Sequence, residues 1–339
     1  MQALFIDGIR AIRIGSVAEP ESGNARIPIA VAGVGVCGSD LHYYLEGGIG
    51  KQTITEPFIP GHEFAGYLLE GRPELGLRQG ELVAVDPAIP CGHCEWCRRN
   101  EINLCPNTIF LGAPPHPGAM AERIAVEPAQ VVRLPPGFSV EEATMLEPLG
   151  VAIHAIDLAE PRLLETVAVI GCGPIGLLML AVARLAGVGR IYAIDPVAYR
   201  AATAGALGAD AVGPDHMQVA EWTEGRGVDL VLEATNAGNG FQHAVDAARI
   251  GGRIVLVGIP HGNSYTLGAA TARRKGLSVK FSRRMGDVYP RAIDLVARHR
   301  LDVTRIVTHH IPLAEGARAF QLQSEHADGA LKSMIQPNR

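Results

Sequence analysis

Apolar positions along the chain change rhythm near residue 149. Before that point they fall in short β-like runs, Arg26 to Val36, Glu81 to Val85 and Glu122 to Val126, broken by glycine and proline clusters. Such punctuation predicts a loop-rich β domain, with Met1 to Asp7 as its first strand. Beyond Leu149 the runs become continuous. Val167 to Ile170 is followed by a helix-length segment to Ala186, then by Ile191 to Ile194; Asp229 to Leu232 and Arg253 to Val257 continue the alternation. Apolar strands alternating with amphipathic helices predict a doubly wound, mostly parallel sheet covered on both faces. After about Arg283 one more helix, Tyr289 to Arg298, and a short strand complete the chain. At 339 residues two cores are expected.

A 47% hydrophobic content with 40 glycines suits a tightly turned α/β enzyme. The formal charge is only −5 and lysine occurs at just Lys51, Lys275, Lys280 and Lys332, so no basic stripe marks a nucleic-acid partner. The most apolar stretch, Ile175 to Val188, is interrupted by Arg184 and falls short of the roughly 20 residues a bilayer span requires, so no membrane partner is expected. The first residues lack the basic start and apolar run of a signal peptide, which makes the cytoplasm the expected location. In that reducing compartment six cysteines point to metal or redox chemistry rather than disulfides.

Four of the six stand close together. Cys91, Cys94, Cys97 and Cys105 fall within 15 positions, and four thiolates can wrap one Zn²⁺ tetrahedrally with no position left for substrate, a structural site. His93 lies inside this loop but the sulfurs saturate the metal without it. A second, dispersed set comprises Cys37, His62, Glu63 and Glu147. One sulfur, one imidazole and one or two carboxylates with an open position typify catalytic zinc.

Gly171-Cys172-Gly173-Pro174-Ile175-Gly176 fits G-x-G-x-x-G between a predicted strand and a predicted helix, where glycines admit pyrophosphate to the helix N-terminus. Asp195 follows 19 residues after Gly176, placed to accept hydrogen bonds from the adenosine ribose, which favours NAD over NADP. Arg200 either lies over the adenine, approaches a ribose phosphate and so admits NADP, or is a solvated helix residue. Cys172 reads as a small buried residue.

Together these residues resemble the zinc-containing medium-chain alcohol dehydrogenase superfamily across essentially the whole chain. The resemblance implies a GroES-like β-rich catalytic domain over 1–148 with 284–339 and a Rossmann domain over 149–283. It also implies two zincs per chain: Cys37, His62 and Glu63 as catalytic ligands and the four clustered cysteines as the structural lobe. Glu147 resembles a carboxylate that binds the metal directly or holds its water, Asp40 a supporting residue, and Ser39 with His42 a proton relay. Val257-Gly258-Ile259 resembles the segment contacting the nicotinamide. The runs Gly35 to Tyr44, Glu46 to Gly50, Phe110 and Pro114-Pro115-His116-Pro117-Gly118 resemble the sorbitol, xylitol and L-idonate dehydrogenases. In that group Tyr43, Phe110 and an arginine, here Arg283 or Arg284, line the substrate pocket. Lys51-Gln52 and Met285 depart from the group's pattern. The expected reaction is oxidation of a secondary alcohol on a polyol, sugar or sugar acid with NAD. An L-threonine or 2,3-butanediol dehydrogenase is the alternative within enzymes, and a zinc-bound dinucleotide sensor the one outside them. The family is commonly oligomeric, so a homotetramer or dimer is expected.

Overall fold

The computed structural model describes residues 1–21 and 26–338. They form two compact units, Met1–Glu147 with Tyr289–Arg339, and Pro148–Val288.

The first unit is built on a sheet whose strands run Val131–Arg133, Leu82–Val85, Glu63–Leu68, Ile27–Gly35, Lys332–Gln336 and Val307–Pro312, with Arg123–Val126 also paired to Ile27–Gly35. Pairing is antiparallel except between the last two, which are parallel. Ile27, Ile29 and Val31 recur at period two and are fully buried, joined by Phe64, Val83, Phe320 and Ile335. A residue from the last dozen of the chain thus lies beside one from the first 35, and this brings Lys332 next to the start of Glu63–Leu68.

The second unit holds a six-stranded sheet in the order Ala211–Gly213, Arg190–Ile194, Thr166–Ile170, Val228–Glu233, Ala248–Leu256, Ser278–Phe281, every pair parallel. This is the doubly wound sheet expected from the apolar alternation. The first strand in sequence sits centrally, its successors on opposite sides, so the strand order reverses beside Gly171. In such sheets the crevice at that reversal binds ligands. The Pro174–Leu185 helix is apolar nearly all round, and Gly176 through Ala183 are buried. Among the described residues, no helix is long and apolar enough to cross a membrane.

Candidate active site

Cys37 is the N-cap of the Gly38–Glu46 helix in extended geometry, and Asp40 in its first turn closes the cap. Asp40 is completely buried; its carboxylate accepts from Cys37 N at 2.9 Å and Gly61 N at 3.3 Å, and lies 3.9 Å from His62 Nδ1. One carboxylate therefore ties together the two segments that carry Cys37, His62 and Glu63. The ligand atoms of those three residues all lie within 4.8 Å of one another. Glu63 opens its strand opposite Gly35, where a Cβ would come within 2.2 Å of Glu63 Oε2, so glycine leaves room for the carboxylate. Lys332 Nζ donates to Glu63 Oε2 at 2.6 Å, Glu63 Oε1 at 2.9 Å and the Val36 carbonyl at 3.0 Å. Phe110 packs on His62 with ring centroids 5.3 Å apart.

These donors fit zinc. Burial first, then the Glu63 charge, pushes the Cys37 thiol up, and His62 Nδ1 is buried without a hydrogen-bond partner. A thiolate and a carboxylate held this deep need compensating positive charge, and sulfur, nitrogen and oxygen donors at these separations match a tetrahedral divalent cation. Glu147 stands in the first turn of the Leu146–Ala159 helix and is buried. It is not part of the compact trio, although His62 and Glu63 influence it; burial raises its carboxyl to about 7.

The clustered cysteines also converge. The sulfurs of Cys91, Cys94, Cys97 and Cys105 share a 4.8 Å neighbourhood, with Cys94 to Cys97 at 3.4 Å and Cys91 to Cys97 at 4.0 Å, and none is in a disulfide. Burial raises the Cys97 thiol to about 12. Burial opposes ionisation of Cys105 too, but the Cys91 N–H, 3.4 Å from its sulfur, and neighbouring donors hold it down at about 6. The His93 ring contacts the Cys91 carbonyl at 2.8 Å and is exposed.

Ser39 and His42 lie three residues apart, on one face of their helix. His42 is buried, and its Nδ1 is 2.6 Å from Glu46 Oε1. Tyr43 is buried with its ring against Phe58, centroids 5.6 Å apart.

In the second unit, Gly171 has φ +90°, and a Cβ on Gly176 would stand 1.8 Å from the Gly171 carbonyl oxygen, so both must be glycine. Gly173, the helix N-cap before Pro174 and Ile175, faces open space. That bare cradle at a helix N-terminus fits a pyrophosphate. Asp195 ends the neighbouring strand; its carboxylate accepts from Cys172 N and Val197 N, both at 2.8 Å, and each oxygen keeps a lone pair for a ribose hydroxyl. Arg200 is half-buried in the Ala198–Ala206 helix. Burial raises the Cys172 thiol to about 12, an inert group. Val257, Gly258 and Ile259 follow the Ala248–Leu256 strand; a Gly258 Cβ would meet the Thr235 carbonyl oxygen at 1.9 Å, and Tyr265 donates to the Gly258 carbonyl at 2.7 Å. Arg283 and Arg284 lie on the segment after Ser278–Phe281, Arg284 with φ +53°.

Three residues escape the sequence patterns. Lys332 belongs to no motif, although it is one of only four lysines and stands in an apolar run. Glu46 lies one helical turn past His42, a spacing that signals an i,i+4 pair. Glu233 is buried at a strand end and accepts from Thr235 N at 2.8 Å and from the Thr235 hydroxyl.

Comparison with known proteins agrees with this geometry. Residues 23–136 match the alcohol dehydrogenase GroES-like domain family and residues 174–298 the zinc-binding dehydrogenase family. The chain is 33% identical to a sorbitol dehydrogenase of Bacillus subtilis over 100% of its own length and 98% of that protein's. It is 32% identical to a D-xylulose reductase A of Aspergillus oryzae, covering 94% of this chain and 92% of that one. Among solved structures, L-idonate 5-dehydrogenase of Escherichia coli superposes with a TM-score of 0.89 at 26% identity, over 99% of this chain and 98% of the other. Motifs, both convergent donor clusters and the switch-point glycines lead to one assignment: the chain belongs to the zinc-dependent medium-chain alcohol dehydrogenase family and is an oxidoreductase that uses zinc and a nicotinamide dinucleotide.

Proposed function

We propose that the protein oxidises a secondary alcohol of a polyol, sugar or sugar acid with NAD⁺. The observation that carries the substrate class is the carboxylate-rich donor set: Cys37, His62 and Glu63 with Glu147 nearby, rather than a second thiolate. A harder, more polar site would suit a substrate with adjacent hydroxyls, one of which would bond Glu147.

Cys37, His62 and Glu63 would hold the catalytic zinc, which when bound supplies Lewis-acid polarisation of the substrate hydroxyl, the hydride passing to the nicotinamide. The four clustered cysteines would hold a second, structural zinc. The buried Asp40 carboxylate, 3.9 Å from His62 Nδ1, ties the Cys37 and His62 segments together through backbone N–H groups, and Lys332 offsets the Glu63 charge. Ser39 accepts the substrate proton as its own proton passes to His42, which hands it on to water. Phe110, held on His62, walls the site, and Tyr43 with Arg283 or Arg284 completes the substrate contacts. Zinc chemistry is assigned to the unit of Met1–Glu147 and Tyr289–Arg339, dinucleotide binding to Pro148–Val288. There Gly171 to Gly176 cradle the pyrophosphate, Val257 to Ile259 contact the nicotinamide and Arg200 lies near the adenosine.

Asp195 supports NAD over NADP, because a 2′-phosphate would meet its charge. The Ser278–Phe281 edge strand, paired on one side and exposing Phe281, supports a homo-oligomer. The thiol ligands suit the reducing cytoplasm.

The test is metal analysis of the purified protein followed by NAD⁺ reduction on sorbitol, xylitol, L-idonate, 2,3-butanediol and L-threonine, with NADP⁺ in parallel. Two zincs per chain and turnover confined to polyols or sugar acids are expected. Turnover on threonine alone would overturn the substrate class, and NADH binding without turnover on any substrate would favour a sensor.

A further inference from the structure

The Gly38–Glu46 helix ends on an acid, and its last turn contains no basic residue. The next residue, Gly47, terminates it in the left-handed conformation, φ +75°, with its N–H bonded to the Tyr43 carbonyl. A carboxylate on the last residue faces the negative end of the helix dipole, an arrangement that costs helix stability. The same carboxylate is 2.6 Å from Nδ1 of His42, whose side chain is 6% exposed against 29% for Glu46. An ionised carboxylate only accepts hydrogen bonds, so the contact requires a proton on Nδ1. In the neutral imidazole that leaves Nε2 bare, as the proton acceptor.

We propose that Glu46 is a positioning residue for His42: it holds the ring in the Nδ1–H tautomer and stabilises the imidazolium formed when Nε2 takes a proton. The inference rests on the reading that Ser39 and His42 carry the released proton. In the step itself the Ser39 O–H bond breaks as the His42 Nε2–H bond forms. The positive charge created on the ring is balanced 2.6 Å away by Glu46, and the Nε2 proton then leaves to water. A carboxylate that orients an imidazole base in this way acts through tautomer and charge without touching the substrate. The arrangement is local, one turn of one helix, and Glu46 at the surface gives variants that leave the core untouched.

Nitrogen-correlated NMR of the zinc-loaded protein at pH 8, with the His42 signal identified by its loss in His42→Gln, reads the tautomer directly. Wild type is expected as Nδ1–H and Glu46→Ala as mainly Nε2–H. An Nε2–H ring in wild type, or an unchanged tautomer in Glu46→Ala, overturns the proposal. Sorbitol oxidation supplies the second reading. Glu46→Ala is expected to lower kcat by about tenfold with KM for sorbitol and NAD⁺ nearly unchanged and with partial rescue by added imidazole. Glu46→Gln, which keeps an acceptor but loses the charge, should fall between. If His42→Gln slows turnover and Glu46→Ala does not, Glu46 has no such role while the relay stands. If His42→Gln has no effect, the relay reading falls. Should none of sorbitol, xylitol and L-idonate be oxidised, the substrate reading fails, while the tautomer still decides the role of Glu46.

Discussion

Lys332 is buried with all three ammonium protons placed, two on Glu63 and one on the Val36 carbonyl. Removing one member of a buried ion pair leaves the other charge unpaired, at a cost of about 3–5 kcal/mol. Lys332→Met should therefore lower the urea midpoint sharply, whereas Lys332→Met combined with Glu63→Gln should recover part of the loss. Equal losses in the single and double variants would show that the pair itself contributes little. A second residue-scale case lies in the Pro148–Val288 unit. The rings of His216 and His243 stack with centroids 3.9 Å apart, and Asp215 and Asp246 flank His216. Burial first, then the neighbouring His216, holds the His243 ring below its ordinary value. The unfolded chain thus binds the proton more readily, so stability is fully present above about pH 6.5 and declines as pH falls below it. His243→Gln should flatten the dependence of the urea midpoint between pH 7.5 and 5; an unchanged slope would assign it to other groups. The two convergent donor sets, Cys37 with His62 and Glu63 and the four clustered cysteines, were legible from the sequence because cysteine, histidine and carboxylate spacing is chemical punctuation. Lys332, Glu46 and the His216 and His243 pair were not, because each takes its meaning from a partner set beside it by the fold.

The elements legible in sequence were those whose period is carried by their own side chains: the Thr166–Ile170 and Arg190–Ile194 strands and the Pro174–Leu185 helix between them. Their boundaries came within a residue or two because Gly171, Gly173 and Pro174 mark the turn. Order within each sheet was a matter of inference by type, and the distant pairing of Lys332–Gln336 with Ile27–Gly35 carries no local signal. Element ends show another device. Lys275, the last residue of the Ala269–Lys275 helix, donates to the carbonyls of Val245, Asp246 and Ala248 at 2.8, 2.9 and 2.7 Å, closing the Gly240–Ala247 helix with a foreign ammonium. Charged hydrogen bonds to otherwise orphaned carbonyls predict a loss of about 2 kcal/mol for Lys275→Met. Amide exchange should rise mainly in those two helices, and uniform exchange across the unit would argue against local capping. At the glycine-rich turn, Gly176→Ala forces a Cβ onto the Gly171 carbonyl oxygen. It should weaken NADH binding more than tenfold, read by fluorescence, with zinc content preserved.

At the scale of the whole molecule, the first unit is assembled from both ends of the chain, and the sequence between its two pieces forms the second. The C-terminal strand is no appendage. Lys332–Gln336 lies between Ile27–Gly35 and Val307–Pro312, Ser333 N donates to Gln323 at 2.7 Å, and Asn338 donates to the Val31 and Glu122 carbonyls, both at 2.8 Å. Deleting residues 328–339 therefore removes an inner strand and leaves Glu63 without its lysine. The Pro148–Val288 unit keeps every strand of its own sheet. Its Asp229 anchor also survives: that carboxylate accepts from Thr166 N at 2.9 Å, Arg226 at 2.7 Å and Arg249 at 2.6 Å. Burial opposes the Asp229 charge, but these donors outweigh it and hold the carboxyl well below the usual range, so the anchor is intact near neutrality and fails only in acid, below about pH 4. At pH 7.5 the truncated chain should lose the zinc of the Cys37, His62 and Glu63 set and become protease-sensitive in the first unit. Resistance should persist in a fragment spanning 148–288. Loss of resistance across both units at once would mean that the second unit folds only with the first.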